Sequence, residues 1–285
     1  MAMGRHDAYD ACLTTLRSTD LDRYLACLLM PEDKRGAVAA LYAFNAELAR
    51  VRDVVRDPLP GEIRLQWWRD LVEGQGAGDA MANPLAAGLI HAVDEYRLPR
   101  PALAAMTEAR IFDLYDDPME SRRMFEGYAG ETSSTLIQMT TLILAPDAAP
   151  RLADAAGHAG IAQLVAGTLL LTPLHRRRRQ VYLPGDILAA TGLTAATFLD
   201  GDGPAMAQAL SAFIGYGRDH LAAARAAAKD ELAQPAADAY LPVALAQAVF
   251  DKAEKLGPIC LTEPAVSPQW LRMWRLWRAH RRAGF

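Results

Sequence analysis

Apolar residues recur at three- and four-residue intervals along nearly the whole chain, while strictly alternating apolar and polar runs are scarce. That period marks helices with one buried stripe rather than strands. Within 20–30, Leu21, Leu25, Leu28 and Leu29 share one helical face. Val38, Leu41, Tyr42, Leu48, Val51 and Val55 predict one long helix over 33–56. Asp57-Pro58-Leu59-Pro60 ends it, because a residue before proline is driven out of the α region. A helix over 62–73 runs into a glycine-rich GQGAGD loop at 74–79. Asn83 as cap and Pro84 as first helical residue open the next, to about Tyr96. Helices over 101–116, 119–144 and 149–174 continue the series. HRRRRQVYLPGD at 175–186 is the one clearly non-helical connection in the core region. Helices over 186–191, 194–200 and 204–229 follow, with a GDGP turn at 201–204. The stretch 231–256 is interrupted by Pro235 and Pro242, and 269–282 reads as a basic amphipathic tail.

Short connections, no fixed-period repeat and no long biased linker predict a single all-α domain over 1–285. Its core spans about 20–256, with a Trp- and Arg-rich helix at about 267–282. The stretch 155–174 carries no formal charge and, at about 20 residues, is long enough to span a bilayer. His158, Gln163, Thr168, Thr172 and Pro173 interrupt it, so the expectation is a central helix buried on all sides. The first twenty residues are too polar for the apolar core of a signal peptide, and their acidic residues argue against a transit peptide.

Composition narrows the function. The chain is 52% hydrophobic and 22% charged, enough apolar surface to repay the ordering entropy of a packed domain, which excludes intrinsic disorder. A formal net charge of −4 fits neither a general nucleic-acid binder nor a polybasic membrane protein, so no nucleic-acid partner is expected. Cys12, Cys27 and Cys260 are an odd number without metal-ligand spacing, which predicts free thiols in a reducing, cytoplasmic setting. No P-loop, dinucleotide glycine fingerprint, HExxH or nucleophile elbow occurs. The histidines are scattered; His91 and His158 read as hydrogen-bonded core or surface residues.

The informative segment is DRYLACLLMPEDKRGAVAALYAFNAELARVRDVVRD at 22–57. LLMP at 28–31, Arg35, LYAF at 41–44 and VYLP at 181–184 stand in an order and spacing that resemble the squalene/phytoene synthase family over about 21–255. The resemblance implies an isoprenoid-synthase-like helical bundle around a central apolar cavity. It also implies a head-to-head condensation of farnesyl or geranylgeranyl diphosphate on magnesium held by paired aspartates. This chain departs from that pattern. ARVRD at 49–53 retains only Asp53 and places Arg50 where an acidic ligand belongs, and TPLHRRRR at 172–179 has no carboxylate. No catalytic residue, metal set or cofactor is therefore assigned; Mg2+, with Asp53, enters only under the transferase alternative. FNAEL at 44–48, RLQWWRD at 64–70 and TPLHRRRRQVYLP at 172–184 resemble the family's non-catalytic branch, which serves the assembly of respiratory complex I. That likeness implies complex I subunits or assembly intermediates as partners.

Candidate anion or substrate contacts are Arg50, Asp53, His175, Arg176, Arg177, Arg178, Arg179 and Tyr182, with arginines taking an anionic headgroup without magnesium. The plainer reading of the HRRRR run is a solvated loop bridged to acidic helices. Trp67 and Trp68, beside Arg64 and Arg69, are candidates for a partner surface. Successive helical positions point about 100° apart, which sends one of these tryptophans to the core and leaves the other at least half exposed if they form a surface. Core packing of both is the plainer reading. Trp274 and Trp277 share a face with Trp270, among Arg272, Arg275, Arg278, Arg281 and Arg282. That helix suits a peripheral membrane contact at the inner membrane, or docks on the bundle with its arginines in water, the commoner arrangement. Asp116-Asp117 before Pro118 reads as a helix cap. Two alternatives stay open: a prenyl diphosphate transferase using Glu47, Asp53 and Glu131, and an isoprenoid- or lipid-binding protein. An open tunnel near Asp53 favours a ligand; a filled core leaves only surface roles.

Overall fold

The helical period becomes helices in the computed structural model, which describes residues 4–75, 81–201 and 203–285; no strand occurs among the described residues. The first half comprises α1 (Arg5–Thr19), α2 (Leu21–Leu29), α3 (Glu32–Ala49), α4 (Val51–Val54), α5 (Pro58–Val72), α6 (Pro84–Tyr96) and α7 (Arg100–Ala109). A 3₁₀ turn at Arg110–Leu114 leads to α8 (Arg122–Ala129), which continues through a π turn (Gly130–Ser134) into α9 (Thr135–Leu144). There follow α10 (Ala153–Arg177), α11 (Gly185–Ala190), α12 (Ala195–Asp200) and α13 (Pro204–Ala228). A 3₁₀ segment at Ala236–Leu245 precedes α14 (Ala246–Leu256), and after a last 3₁₀ turn at Gly257–Leu261 the fold closes with α15 (Gln269–Arg282).

Two packed layers meet at the core. On one side α3 packs on α1 and α6; on the other α10 runs along α13 and touches α14, and α9 bridges α3 to α10. The apolar α10 is the one helix among the described residues long and hydrophobic enough to cross a membrane, yet more than half of its apolar window is buried inside the bundle. Ala155, Ala159, Ala162, Val165 and Leu169 pack inward. Leu164, Leu170, Leu171 and Leu174 face an open cavity instead, Leu171 being 49% exposed, so α10 is not buried on all sides as expected. Gly160 permits a close crossing: a Cβ there would lie 2.2 Å from Ser134 Oγ in the π turn. The Ser134 hydroxyl donates to the Gly157 carbonyl at 3.0 Å across the same contact.

Several boundaries differ from expectation for local reasons. α1 is polar overall and buries only the narrow stripe Ala8, Cys12 and Leu16, too little to stand out in the sequence. The expected helix over 33–56 is interrupted at Arg50, whose carbonyl accepts the Asp53 amide at 2.9 Å and tightens the chain into α4. α10 extends past 174 through Pro173 to Arg177 and ends in a Schellman motif. There the Gln180 amide donates to the His175 carbonyl at 3.0 Å and the Arg179 amide to the Arg176 carbonyl at 3.1 Å. Arg179 takes the left-handed position (φ 57°) that Gly74 (φ 93°) supplies at the end of α5. Of the GQGAGD loop only Gly74 and Gln75 fall among the described residues, and the GDGP turn is described except at 202. Asp116 is not a cap: it pairs with Arg52 at 3.3 Å, and Ser121 caps α8 through the Met124 amide.

The tryptophans divide as their angular spacing requires. Trp68 is buried edge-on against Phe44, with ring centroids 5.3 Å apart, while Trp67 is 41% exposed. α15 does not dock its tryptophans on the bundle, the commoner of the two expected arrangements. Arg272 turns inward to Asp22 (2.6 Å) and Arg275 to Ser267 (2.9 Å), while Trp270, Trp274 and Trp277 face outward. All three cysteines are free and buried.

Candidate functional site

An open cavity of about 530 Å³ lies between α10, the end of α3, α2, the 3₁₀ turn at Arg110–Leu114 and the start of α14. That volume falls in the range of small-molecule sites. Its walls differ in chemistry. Leu164, Leu170, Leu171, Leu245 and Val249 give an apolar side, whereas Arg23, Arg50, Arg52, Arg110 and Arg178 stand among Asp20, Asp22, Asp53 and Asp113 on the other. The cavity is therefore not uniformly apolar, as the resemblance implied, but amphipathic.

The most densely hydrogen-bonded part of the charged wall is a buried network around Asp113. Its carboxylate accepts from the Tyr128 and Tyr182 hydroxyls, each at 2.9 Å, and from Arg110 Nη1 at 3.0 Å. Arg110 Nη1 also donates to the Tyr128 oxygen at 2.7 Å, and Nη2 donates to Asn45 Oδ1 at 3.3 Å. Burial opposes the Arg110 charge, but Tyr128 and Asp113 outweigh it and hold the guanidinium above its ordinary value. Burial, and next the Asp113 carboxylate, push the Tyr182 phenol up, so it stays a neutral donor. The His175 ring lies 4.5 Å from the Tyr182 ring, and its pKa is pushed down to about 4, chiefly by burial. A neutral His175 thus faces the cavity at neutral pH. Arg23 reaches in from α2 over the Tyr42 ring (5.6 Å) and pairs with Asp20. The Nε atoms of Arg23 and Arg110 are buried without a hydrogen-bond partner.

Among the residues singled out in the sequence, Arg50, Asp53, His175, Arg178 and Tyr182 meet at this cavity. The rest of the arginine run disperses, because each residue of the last helical turn rotates about 100° from its neighbour. Arg176 Nε donates to the Leu199 carbonyl at 3.0 Å, and exposed Arg177 donates back to the Pro173 carbonyl at 3.3 Å. Arg179 forms a two-point pair with Asp200 at 2.9 and 3.1 Å. Only Arg178 of the four borders the large cavity, where it pairs with Asp53 at 2.7 Å. The sequence reasoning missed Arg23, Arg110, Asp113 and Tyr128. An Arg-x-x-Asp spacing at 110–113 was the sole local hint, since the tyrosines come from distant segments. His158 and His220, scattered in sequence, also meet, with Nδ1 atoms 2.8 Å apart on α10 and α13.

The donor set does not fit the magnesium chemistry of the resembled transferases. Asp53 is engaged by Arg178 and flanked by Arg50 and Arg52, which add positive charge where a dication would sit. Glu47 lies 3.8 Å from Arg50, and Glu131 is exposed on the π turn and does not line the cavity. Among the described residues no group of three or more His, Cys, Asp or Glu side chains is placed to hold a metal ion.

Comparison with known proteins places the chain in a family. The family profile "Squalene/phytoene synthase" matches residues 16–278. The chain is 36% identical over 197 residues to a Rattus norvegicus protein named NADH dehydrogenase (ubiquinone) complex I, assembly factor 6, covering 69% of this chain and 59% of the relative. It is 37% identical over 189 residues to the Homo sapiens protein of that name, covering 66% and 56%. The chain thus spans between 56% and 59% of the length of these relatives. Its backbone matches a ligand-bound dehydrosqualene synthase with a TM-score of 0.81 over 98% of this chain and 97% of the other, at 14% identity, which establishes the isoprenoid-synthase-like fold. With the landmark motifs, the helical fold and the match over 16–278 in agreement, the chain belongs to the squalene/phytoene synthase family.

Proposed function

We propose that this protein acts in the assembly of respiratory complex I, without turning over prenyl diphosphates, in the cytoplasm at the surface of the inner membrane. The non-catalytic half of this reading is carried by the 2.7 Å pair between Arg178 and Asp53, which joins by direct charge the two places where the resembled enzymes need metal-binding carboxylates. The relatives named complex I, assembly factor 6 support it. Its partners are then complex I subunits or assembly intermediates, met on the protein's surface.

The test is deletion of the gene. The expected result is stalled complex I on native gels and low NADH-oxidising activity, with unchanged isoprenoid products. Normal complex I abundance and activity in the deletion strain overturns the reading. A second reading concerns the cavity, whose apolar wall and excess of arginines favour an occupant with an apolar body and an anionic head, an isoprenoid or a lipid. Mass spectrometry of organic extracts from the purified protein tests it: a stoichiometric amphiphile supports it, and an empty extract together with no retention of added amphiphiles refutes it.

A further inference from the structure

α15 is built inside out for a helix bathed in water. Its inward side is fastened by polar contacts: Arg272 to Asp22 at 2.6 Å, and His280 to the buried Asp238 at 2.7 Å. The chain end beyond it is held by Arg225 donating to the Phe285 carbonyl at 2.8 Å and by Phe285 stacking on Tyr240 at 4.9 Å. Leu276 is its one fully buried residue. Outward stand Trp270, Met273, Trp274 and Trp277, which are 69%, 45%, 46% and 52% exposed. Their i, i+3, i+4, i+7 spacing gathers them in one stripe. Packing the helix the other way would have hidden the indoles and released Arg272 and Arg275 to solvent. The Arg272–Asp22 and His280–Asp238 contacts hold it in the opposite sense.

The charge on this face selects what covers it. The helix contains no acidic residue, Arg278 lies over the Trp274 ring at 5.2 Å, Arg281 is exposed on the side of the stripe, and Arg282 is exposed in the last turn. A second copy meeting the same face would bring these arginines together. An anionic bilayer complements them, and its headgroup layer is where tryptophan, apolar in body with one N–H to hydrate, resides best. We propose that α15 is a membrane-surface helix that seats Trp270, Trp274 and Trp277 among the headgroups of an anionic bilayer, with Arg278, Arg281 and Arg282 on the phosphates. This deepens the membrane-surface location proposed above by naming the face and the lipid charge. Through the Arg272–Asp22 pair the same helix is joined to the wall of the cavity.

The experiment is co-sedimentation of the full chain with vesicles of phosphatidylcholine containing about one-third phosphatidylglycerol, at about 0.1 M salt, against vesicles of phosphatidylcholine alone. The wild type is expected to pellet with the anionic vesicles and to shift its tryptophan emission to the blue. The triple variant Trp270→Gln, Trp274→Gln, Trp277→Gln is expected to bind about tenfold or more weakly, with unchanged circular dichroism because the three rings are exposed. Arg278→Gln with Arg281→Gln is expected to lose the preference for anionic vesicles, about fivefold per arginine. A wild type that stays in the supernatant, or a triple variant that binds as tightly as the wild type, overturns the proposal. So does a dimer in sedimentation velocity that the triple variant abolishes while vesicle binding persists. Vesicle binding is read on the purified protein, so its failure leaves the complex I reading standing, and normal complex I in a deletion strain leaves this one standing.

Discussion

Arg178 Nη1 lies 2.7 Å from Asp53 Oδ1, tying the segment after α10 to α4 at the wall of the cavity. Each partner answers the other's charge at close range, so the carboxylate has no need of a cation from solution. The pair is half-exposed on both sides, which limits its contribution to about 1 kcal/mol or less. Asp53→Ala and Arg178→Ala are therefore expected to lower stability only slightly, and a double-mutant cycle should return a coupling in that range. Magnesium chloride should leave the Tm of the wild type unchanged. A Tm that rises with magnesium, and no longer does so in Asp53→Ala, would show that Asp53 binds the metal after all.

The Asp113 network is a different case because its members are buried. Tyr182→Phe removes one donor to a buried carboxylate and should cost about 1.5–3 kcal/mol. Asp113→Ala leaves the buried Arg110 guanidinium with only the neutral Tyr128 and Asn45 oxygens and no countercharge, and should cost about 3–5 kcal/mol. Urea unfolding of the two variants against wild type checks the ordering. Equal, small losses would mean that solvent reaches Arg110.

The crossing of α10 over the π turn predicts intolerance at one glycine. A Cβ at Gly160 would meet Ser134 Oγ at 2.2 Å and the Ser134 backbone nitrogen at 2.4 Å, and backbone cannot move aside as a side chain can. Gly160→Ala should destabilise by about 3 kcal/mol, although alanine is the better helix former. Gly167→Ala on the same helix, with nothing near its Cβ position, should be neutral or stabilising. Thermal melts of the pair separate packing from propensity.

Adjacent tryptophans on α5 should behave unlike each other. Trp68→Ala opens a cavity beside Phe44 and should cost about 3–5 kcal/mol. Trp67→Ala, at an exposed position, should cost about 1 kcal/mol or less. If RLQWWRD forms a partner surface, Trp67→Ala loses complex I in cells while the purified protein stays folded. Comparing melts with complex I levels distinguishes that outcome from simple destabilisation.

What the sequence made legible was local, and what it hid was tertiary. The long apolar period of α10 was readable because 3.6-residue repetition is contained within one segment. The break at Arg50 was not, since Val51 and Val55 continue the apolar period past it. Four consecutive arginines look like one basic object in a sequence, but the helix end sends them to Leu199, Pro173, Asp53 and Asp200. Asp113 acquires its role from Tyr128 and Tyr182, 15 and 69 residues away, and no spacing rule joins them. The sequence likewise placed tryptophans and arginines on α15 without saying which side faces in. That is decided by Asp22, 250 residues before Arg272.

Acid acts on the cavity wall through His175. His175 ordinarily titrates near 6.5, and burial, its largest influence, pushes it down to about 4 in the folded protein; Asp113 favours its charge and Arg178 opposes it. Between those values the unfolded chain binds a proton that the folded chain does not. Stability contributed by the neutral ring is therefore complete above about pH 6.5, declines as pH falls toward 4, and changes no further below it. The loss should be on the order of 2 kcal/mol, less than full linkage because the ring is only partly buried. His175→Gln lacks this proton uptake, so its urea-unfolding free energy should fall less between pH 7 and pH 4 than that of wild type. Taking the difference between the two proteins removes every contribution common to both. Parallel curves, or a His175 proton resonance that titrates near 6.5, would place this ring in water rather than against Tyr182.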